Sequence, residues 1–300
     1  MPELPDVTIY VEALRARVVE RRLVEARLYS PFVLRTFEPQ LRSLEGLEVE
    51  RVERLGKRIV IGFQGDLYLV IHLMIAGRLL WKEEAAPNRQ GGKIALACFV
   101  FESGALTLTE AGSKRRAGVH VLRGTDALAH HDPGGLDVFT ADSVAFREAL
   151  QAENRTLKRA LSNPRRFDGI GNAYSDEILH EARLSPLRLS RSLSEDEVVR
   201  LHEACRHVLA TWVKRLRTEF GARFPGSGQI TAFRPDFAVH GKFGLPCPRC
   251  GVKVQRIRYA ENETNYCPRC QNEDRILADR SLSRLLKDDW PRTVEEMGGG

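Results

Sequence analysis

No stretch of the chain approaches the ~18 consecutive apolar residues that cross a bilayer, and residues 1–20 are too polar for a secretory leader. Both absences point to a soluble, cytoplasmic protein with no membrane partner. Cysteine is scarce, with 6 in 300 residues, and a cytoplasmic chain is not expected to rely on disulfides. No internal repeat is found. Charge is not strongly one-sided either: 46 Lys and Arg against 40 Asp and Glu leave +6, which is compatible with nucleic acid and does not establish it. What is present, 300 residues with 43% hydrophobic content, is enough for about two domains with real cores.

Four of the six cysteines fall in two CxxC knuckles, Cys247-Pro-Arg-Cys250 and Cys267-Pro-Arg-Cys270. Each knuckle offers two thiolates at a tight turn, so the pair supplies the four soft ligands of a tetrahedral zinc site. Two disulfides are the alternative; compartment and spacing favour zinc. Four thiolates leave no open position for water or substrate, so one structural Zn2+ is expected. Between the knuckles, Val252 to Tyr259 alternates as a strand and the chain returns through Tyr266, which predicts a zinc-clamped β-hairpin. Residues 241–260 hold Lys242, Arg249, Lys253, Arg256 and Arg258 and no acidic residue. The bland role of such a face is solubility and the sharper one is phosphate contact.

Near the N-terminus, Val7, Val11, Leu14 and Val18 share one helical face, with Pro5 and Asp6 suited to the first turn. From Leu23 to Leu122 short β-rich runs alternate with glycine-containing turns, predicting a sandwich or barrel. The stretch Arg123 to Gly135 reads as an interdomain linker. Helical periodicity follows over Asp142 to Ala152, Thr156 to Leu161, Ala173 to Ala182 and Ser194 to Leu216, the last opening on Ser-Glu-Asp-Glu. Between two of these helices lies Phe167-Asp-Gly-Ile-Gly-Asn172, whose glycines let backbone amides approach a phosphate. Most such loops are merely tight turns; the neighbouring Arg165 and Arg166 and the zinc hairpin raise the nucleic-acid reading.

These residues resemble the formamidopyrimidine-DNA glycosylase/endonuclease VIII family of base-excision repair enzymes. The resemblance rests on Pro2-Glu3-Leu4-Pro5-Asp6-Val7, on Gly56-Lys57 in a strand, and on His72-Leu73 followed by Gly77. Gly169-Ile-Gly-Asn172 and the CxxC pair ending at Cys270-Gln271 complete it. It implies an α+β architecture: an N-terminal β-sandwich with an N-terminal helix over 1–130, and a helix-two-turns-helix domain over 131–242. A zinc finger over 243–272 and a tail helix over 273–300 follow. Damaged DNA, double- or single-stranded, would lie in a cleft between the halves of a monomer.

It also implies roles. With Met1 removed, Pro2 becomes a secondary amine that attacks the anomeric carbon, expels the base and leaves an iminium ion that eases strand-cleaving elimination. Glu3 would handle protons at the sugar, and Lys57 and the helix start would favour the neutral amine. Lys57, His72 and Asn172 match phosphate-binding positions. In isolation His72 would read as a core histidine.

Two departures from the family pattern matter. An Arg is usual near the hairpin tip, where this chain has Asn262, so Arg256 and Arg258 are the candidate substitutes. Arg-Arg-Phe-Gly is usual where the chain reads Arg115-Arg116-Ala117-Gly118, leaving Met74, Ile75 and Arg115 to fill the void of an extruded base. A core role for Met74 and Ile75 is the competing reading. Both departures should make an intact duplex harder to open, favouring abasic sites, oxidised pyrimidines or ring-opened bases over 8-oxoguanine paired with cytosine. Residues Thr218 to Val239 fall where the family covers the extruded base. Beyond Gln271, Leu282, Leu285, Leu286 and Trp290 share a helical face. The expected activity is a bifunctional glycosylase and abasic-site lyase; the alternatives are a non-catalytic damaged-DNA binder and, more distantly, a generic zinc-ribbon module.

Overall fold

The computed structural model describes residues 1–85, 92–112, 114–259, 262–279 and 291–297. It divides into two compact units, one of Met1–Pro133 with Trp212–Thr231 and one of Gly134–Thr211 with Ala232–Gly300. Among the described residues no helix is long and apolar enough to cross a membrane.

The first unit opens with α1, Leu4–Val18, which carries proline in its first turn and Arg15 and Arg17 in its last, as the helix dipole favours. Val7, Val11, Leu14 and Val18 are buried, and the helix stops where Val19 turns extended. Two four-stranded antiparallel sheets follow. One runs β2 (Val49–Leu55), β3 (Arg58–Phe63), β4 (Leu67–His72), β8 (Gly118–Arg123); the other runs β1 (Leu23–Leu28), β6 (Ala95–Phe101), β7 (Gly104–Glu110), β5 (Gly77–Lys82). Alternation sends Ile59, Ile61, Phe63, Leu69, Ile71, Val119 and Val121 into the shared core with Phe99 and Leu106. Each such side chain contributes about 2 kcal/mol by leaving water.

Two segments depart from the sequence reading. The expected linker contains a helix, α2 (Thr125–Ala129), whose Ala127 and Leu128 cover Val60, Tyr68, Val70 and Leu122 on the outer face of the first sheet. Residues 212–231, grouped by sequence with the helical domain, pack in the first unit: Leu216, Phe220 and Ile230 join its core and Phe224 meets Tyr10. Apolar burial decides that placement.

The second unit holds α3 (Ser143–Gln151), α4 (Leu157–Leu161), α5 (Asn172–Glu181) and the first part of α6 (Glu195–Phe220). Ser194 and Glu197 cap α6 reciprocally, the Glu197 carboxylate accepting the Ser194 N–H at 2.9 Å and the Ser194 hydroxyl accepting the Glu197 N–H at 3.3 Å. β9 (Gln255–Tyr259) and β10 (Asn262–Tyr266) pair antiparallel, and a short α7 (Pro268–Asn272) follows. The tail leucines and Trp290 lie outside the described residues. Of the tail, Asp279 accepts the Arg258 N–H at 2.8 Å and Tyr266 accepts the Leu277 N–H at 2.7 Å.

Candidate functional site

In the first unit, chemistry gathers at the start of α1. Glu3 is the N-cap and is 2% exposed, and Asp6 Oδ2 accepts its backbone N–H at 3.0 Å. Pro2 is buried beside it. The terminal amine, carried here by Met1 and standing in for the one Pro2 would carry after processing, is held below the usual α-amine range. Burial is the main cause; Arg78 and Lys57 push the same way, and Glu3 and Asp6 oppose them. Gly56-Lys57 does not lie in a strand: it is the two-residue turn joining β2 to β3, where Gly56 takes φ 61° as a tight hairpin requires. Lys57 is 8% exposed there.

His72 ends β4, and its imidazole is pulled down to about 4, first by burial and then by Arg58, Lys57 and His120. It is therefore a neutral donor at physiological pH. The turn after it is tightly built. Gly77 donates its N–H to the Leu73 carbonyl at 2.8 Å, and a Cβ at 77 would lie 2.2 Å from that oxygen. Met74 has φ 51°, in the left-handed region that non-glycine residues rarely take. Ile75 is 56% exposed, so the core role is excluded for it, and Met74 is half-buried. Arg78, which sequence reasoning missed, donates to the carbonyls of Ile75 at 3.2 Å, Gly77 at 2.7 Å and Ile230 at 2.6 Å. It thereby ties the turn to the 212–231 segment.

The Arg115–Ala117 stretch is shaped by a second residue that sequence reasoning missed. Buried Glu110 accepts the N–H groups of Arg116 at 2.8 Å and Ala117 at 2.9 Å. Ala117 enters the core, while Arg115 is exposed and donates to the Lys93 carbonyl at 3.0 Å.

In the second unit, Gly169 has φ 73° and Gly171 precedes Asn172 at the N-terminus of α5. Asn172 Nδ2 donates to the Glu263 carbonyl at 3.1 Å, linking the loop to the hairpin. Beneath it are two carboxylates that composition alone assigns to a helix surface. Asp176, fully buried, accepts from Lys158 Nζ at 2.6 Å, His240 Nδ1 at 2.7 Å and the Asn265 N–H at 3.1 Å. Glu177 accepts three consecutive N–H groups, from Ala238, Val239 and His240, at 2.8–2.9 Å; burial nonetheless raises its carboxyl above the usual range.

The thiols of Cys247, Cys250, Cys267 and Cys270 lie within 4.8 Å of one another. Sulfurs at the corners of a zinc tetrahedron with ~2.3 Å bonds stand ~3.8 Å apart, and the Cys247–Cys270 and Cys250–Cys267 separations are 3.9 and 3.4 Å. The donor set fits one structural zinc. His180 Nε2 reaches Cys247 Sγ at 3.2 Å, joining α5 to the site. Arg256 lies 4.1 Å from the Phe243 ring centroid and 3.2 Å from Glu263, which Arg258 approaches at 3.7 Å. Asn262 opens β10 with its backbone opposite Tyr259.

Known proteins share this organisation. Residues 1–118 match the formamidopyrimidine-DNA glycosylase N-terminal domain, 134–221 the H2TH domain of that glycosylase, and 244–272 the zinc finger found in FPG and IleRS. The formamidopyrimidine-DNA glycosylase of Moorella thermoacetica is 32% identical over 86% of this chain and 95% of its own. That of Symbiobacterium thermophilum is 33% identical over 90% and 89%. The crystal structure of MutM (Fpg) from Thermus thermophilus superposes with a TM-score of 0.73 at 31% identity, covering 90% of this chain and 98% of that one. Lactococcus lactis Fpg bound non-covalently to DNA containing an AP site gives 0.77 at 26% identity, covering 90% and 99%. With an N-terminal sandwich, an H2TH region and a four-cysteine finger in the same order, the chain belongs to the formamidopyrimidine-DNA glycosylase family of base-excision repair enzymes.

Proposed function

We propose that the protein is a bifunctional DNA glycosylase and abasic-site lyase that uses the Pro2 amine after loss of Met1. The observation that carries this reading is the geometry of the N-terminus: Pro2 is buried beside Glu3, the 2%-exposed N-cap of α1, and Lys57 and Arg78 act on the terminal amine. Once Met1 is lost, the free secondary amine of Pro2 attacks C1′ of the damaged nucleotide, and the base leaves with the bonding electrons. The C1′–O4′ bond of the substituted sugar then opens as O4′ takes a proton, leaving an iminium at C1′ that acidifies the C2′ hydrogen, so removal of that proton expels the 3′ phosphate. Glu3 is the nearest carboxylate in sequence and is assigned the proton transfers at the sugar. Lys57, His72 and Asn172 take flanking phosphates; Met74, Ile75 and Arg115 occupy the space of the extruded nucleotide. Arg256, Arg258 and Asn262 are the hairpin's contribution, and the partner is damaged DNA in the cytoplasm or bacterial nucleoid.

Borohydride reduction with abasic DNA tests this. Wild-type protein should be trapped covalently, and Pro2→Gly or a form retaining Met1 should not be, while each still binds the DNA. Equal trapping with Met1 in place would remove Pro2 as nucleophile. DNA binding by the wild type without any trapping would instead support the non-catalytic binder, which Ala117 and Asn262 make the second reading.

A further inference from the structure

The outer face of the β2–β3–β4–β8 sheet carries side chains that the chemistry above leaves unused. Where the α2 cover ends, the register sets Arg58 opposite His72 and His72 opposite Gly118. His120 lies two residues along β8 and therefore on the same face. The chain leaving α2 folds His131 onto it, with ring centroids 4.6 Å apart at 67°. Gly118 permits the grouping: a Cβ there would sit 3.2 Å from Arg35 Cγ, 3.3 Å from Arg35 Nε and 3.8 Å from His120 Cε1.

Arg58 Nε and His120 Nδ1 are buried without a hydrogen-bond partner. Unsatisfied buried nitrogens are costly and call for an explanation. Arg58, His72, His120 and His131 are nevertheless half-exposed as residues, so a ligand can reach them. A planar guanidinium among imidazoles suits a phosphate oxygen.

We propose that Arg58, His120 and His131 form a second phosphate-binding site, which holds a DNA phosphodiester adjacent to the one assigned to His72. The inference rests on the DNA-binding reading above and adds a contact to it. The electrostatics agree with the geometry. His120 is pulled down to about 4 by burial, His131, Arg58 and Arg35, and His131 is lowered by burial, Arg58 and His130. His72 faces Arg58, Lys57 and His120, and Asp132 is the carboxylate acting on Arg58. An arriving phosphodiester offsets those cations and raises the imidazoles, so binding takes up protons and tightens as pH falls.

The test uses full-length zinc-loaded protein and a duplex containing a tetrahydrofuran abasic analogue. Arg58→Gln should lower the slope of log K against log[salt] by about 0.9, the release expected for one phosphate. His120→Gln and His131→Gln should flatten the pH dependence of affinity between pH 7.5 and 5.5. Borohydride trapping on abasic DNA at saturating protein should be unchanged in all three. Single neutral methylphosphonate linkages then locate the contact: the linkage that weakens the wild type should have no effect in Arg58→Gln. If Arg58→Gln proves unstable, His131→Gln, in the loop after α2, carries the same linkage test. Wild-type trapping with an unchanged salt slope in Arg58→Gln and no linkage specific to it overturns this site alone. Absence of both binding and trapping in the wild type overturns the functional reading with it.

Discussion

In the first unit Glu3, Lys57 and His72 stand at the rim of an apolar core, with single buried carboxylates, Asp6 and Glu110, holding only local backbone, whereas in the second unit the site residues are hung from a carboxylate pair sealed inside. Glu3, Lys57 and His72 sit where α1, the β2–β3 turn and β4 begin or end, each element already fixed by residues such as Leu14, Ile59 and Ile71. Asn172 and the zinc hairpin are positioned instead by Asp176 and Glu177, through bonds to Lys158, His240, Asn265 and the 238–240 backbone. Apolar packing tolerates the loss of one partner better than such a network does, because a stranded buried charge costs about 3–5 kcal/mol. The first unit should therefore be robust and the second dependent on every partner, the metal above all.

Zinc removal gives the largest expected break in that comparison. Structural zinc supplies roughly 10–16 kcal/mol of apparent binding energy to small metal-clamped segments. Chelation or Cys250→Ser should abolish amide-exchange protection over residues 244–272 and weaken DNA binding by at least about tenfold, a loss of ~1.4 kcal/mol or more. Sheet amides of the first unit should stay protected. Full affinity in metal-free protein would mean that the hairpin does not depend on its metal.

Acid should distinguish the units by a smaller margin. His72 and His120 are held at about 4 in the folded first unit against an ordinary value of 6.5. The folded form therefore binds fewer protons than the unfolded one in that interval. Its stability is full above pH 6.5 and declines as pH falls toward 4, by up to about 1.4 kcal/mol per pH unit for His72 and less for half-exposed His120. In the second unit Glu177, raised by burial, favours the folded form as pH falls and opposes such a decline. Thermal melts should show the first unit losing stability across this window and His72→Gln reducing the loss. Parallel decline in wild type and variant would refute the assignment.

How much of this was legible in sequence follows from the range of each interaction. The knuckles, the GxGN loop and helices α3 to α6 are local patterns, and they fall where spacing and periodicity predict. Nothing local marks Asp176 and Glu177 as buried anchors, because apart from Lys158, 18 residues away, their partners lie 61–89 residues off. Arg78 likewise finds Ile230 152 residues on. The return of 212–231 to the first unit was hidden because the apolar period of α6 runs unbroken through the boundary. The expected linker concealed α2, whose five residues are too few to show a period.

The hairpin supplies the smallest and sharpest test. Its sequence promised a cationic face free of acid, yet Glu263, on the returning strand, approaches both Arg256 and Arg258. The Arg258 side chain is 62% exposed and that of Arg256 only 28%, the latter lying over Phe243. Part of the charge meant to replace a tip arginine is thus neutralised within the hairpin. Asn262→Arg adds a cation where the backbone leaves the turn and should steepen the salt slope by about 0.9, one phosphate contact. Glu263→Gln releases the two existing arginines and should give a gain of the same kind if they reach DNA. Activity on 8-oxoguanine paired with cytosine should rise more than activity on abasic sites in both variants, because an intact duplex needs the anchor most. An unchanged slope in Asn262→Arg would show that the tip does not reach a phosphate, and the lesion preference could then not be traced to position 262.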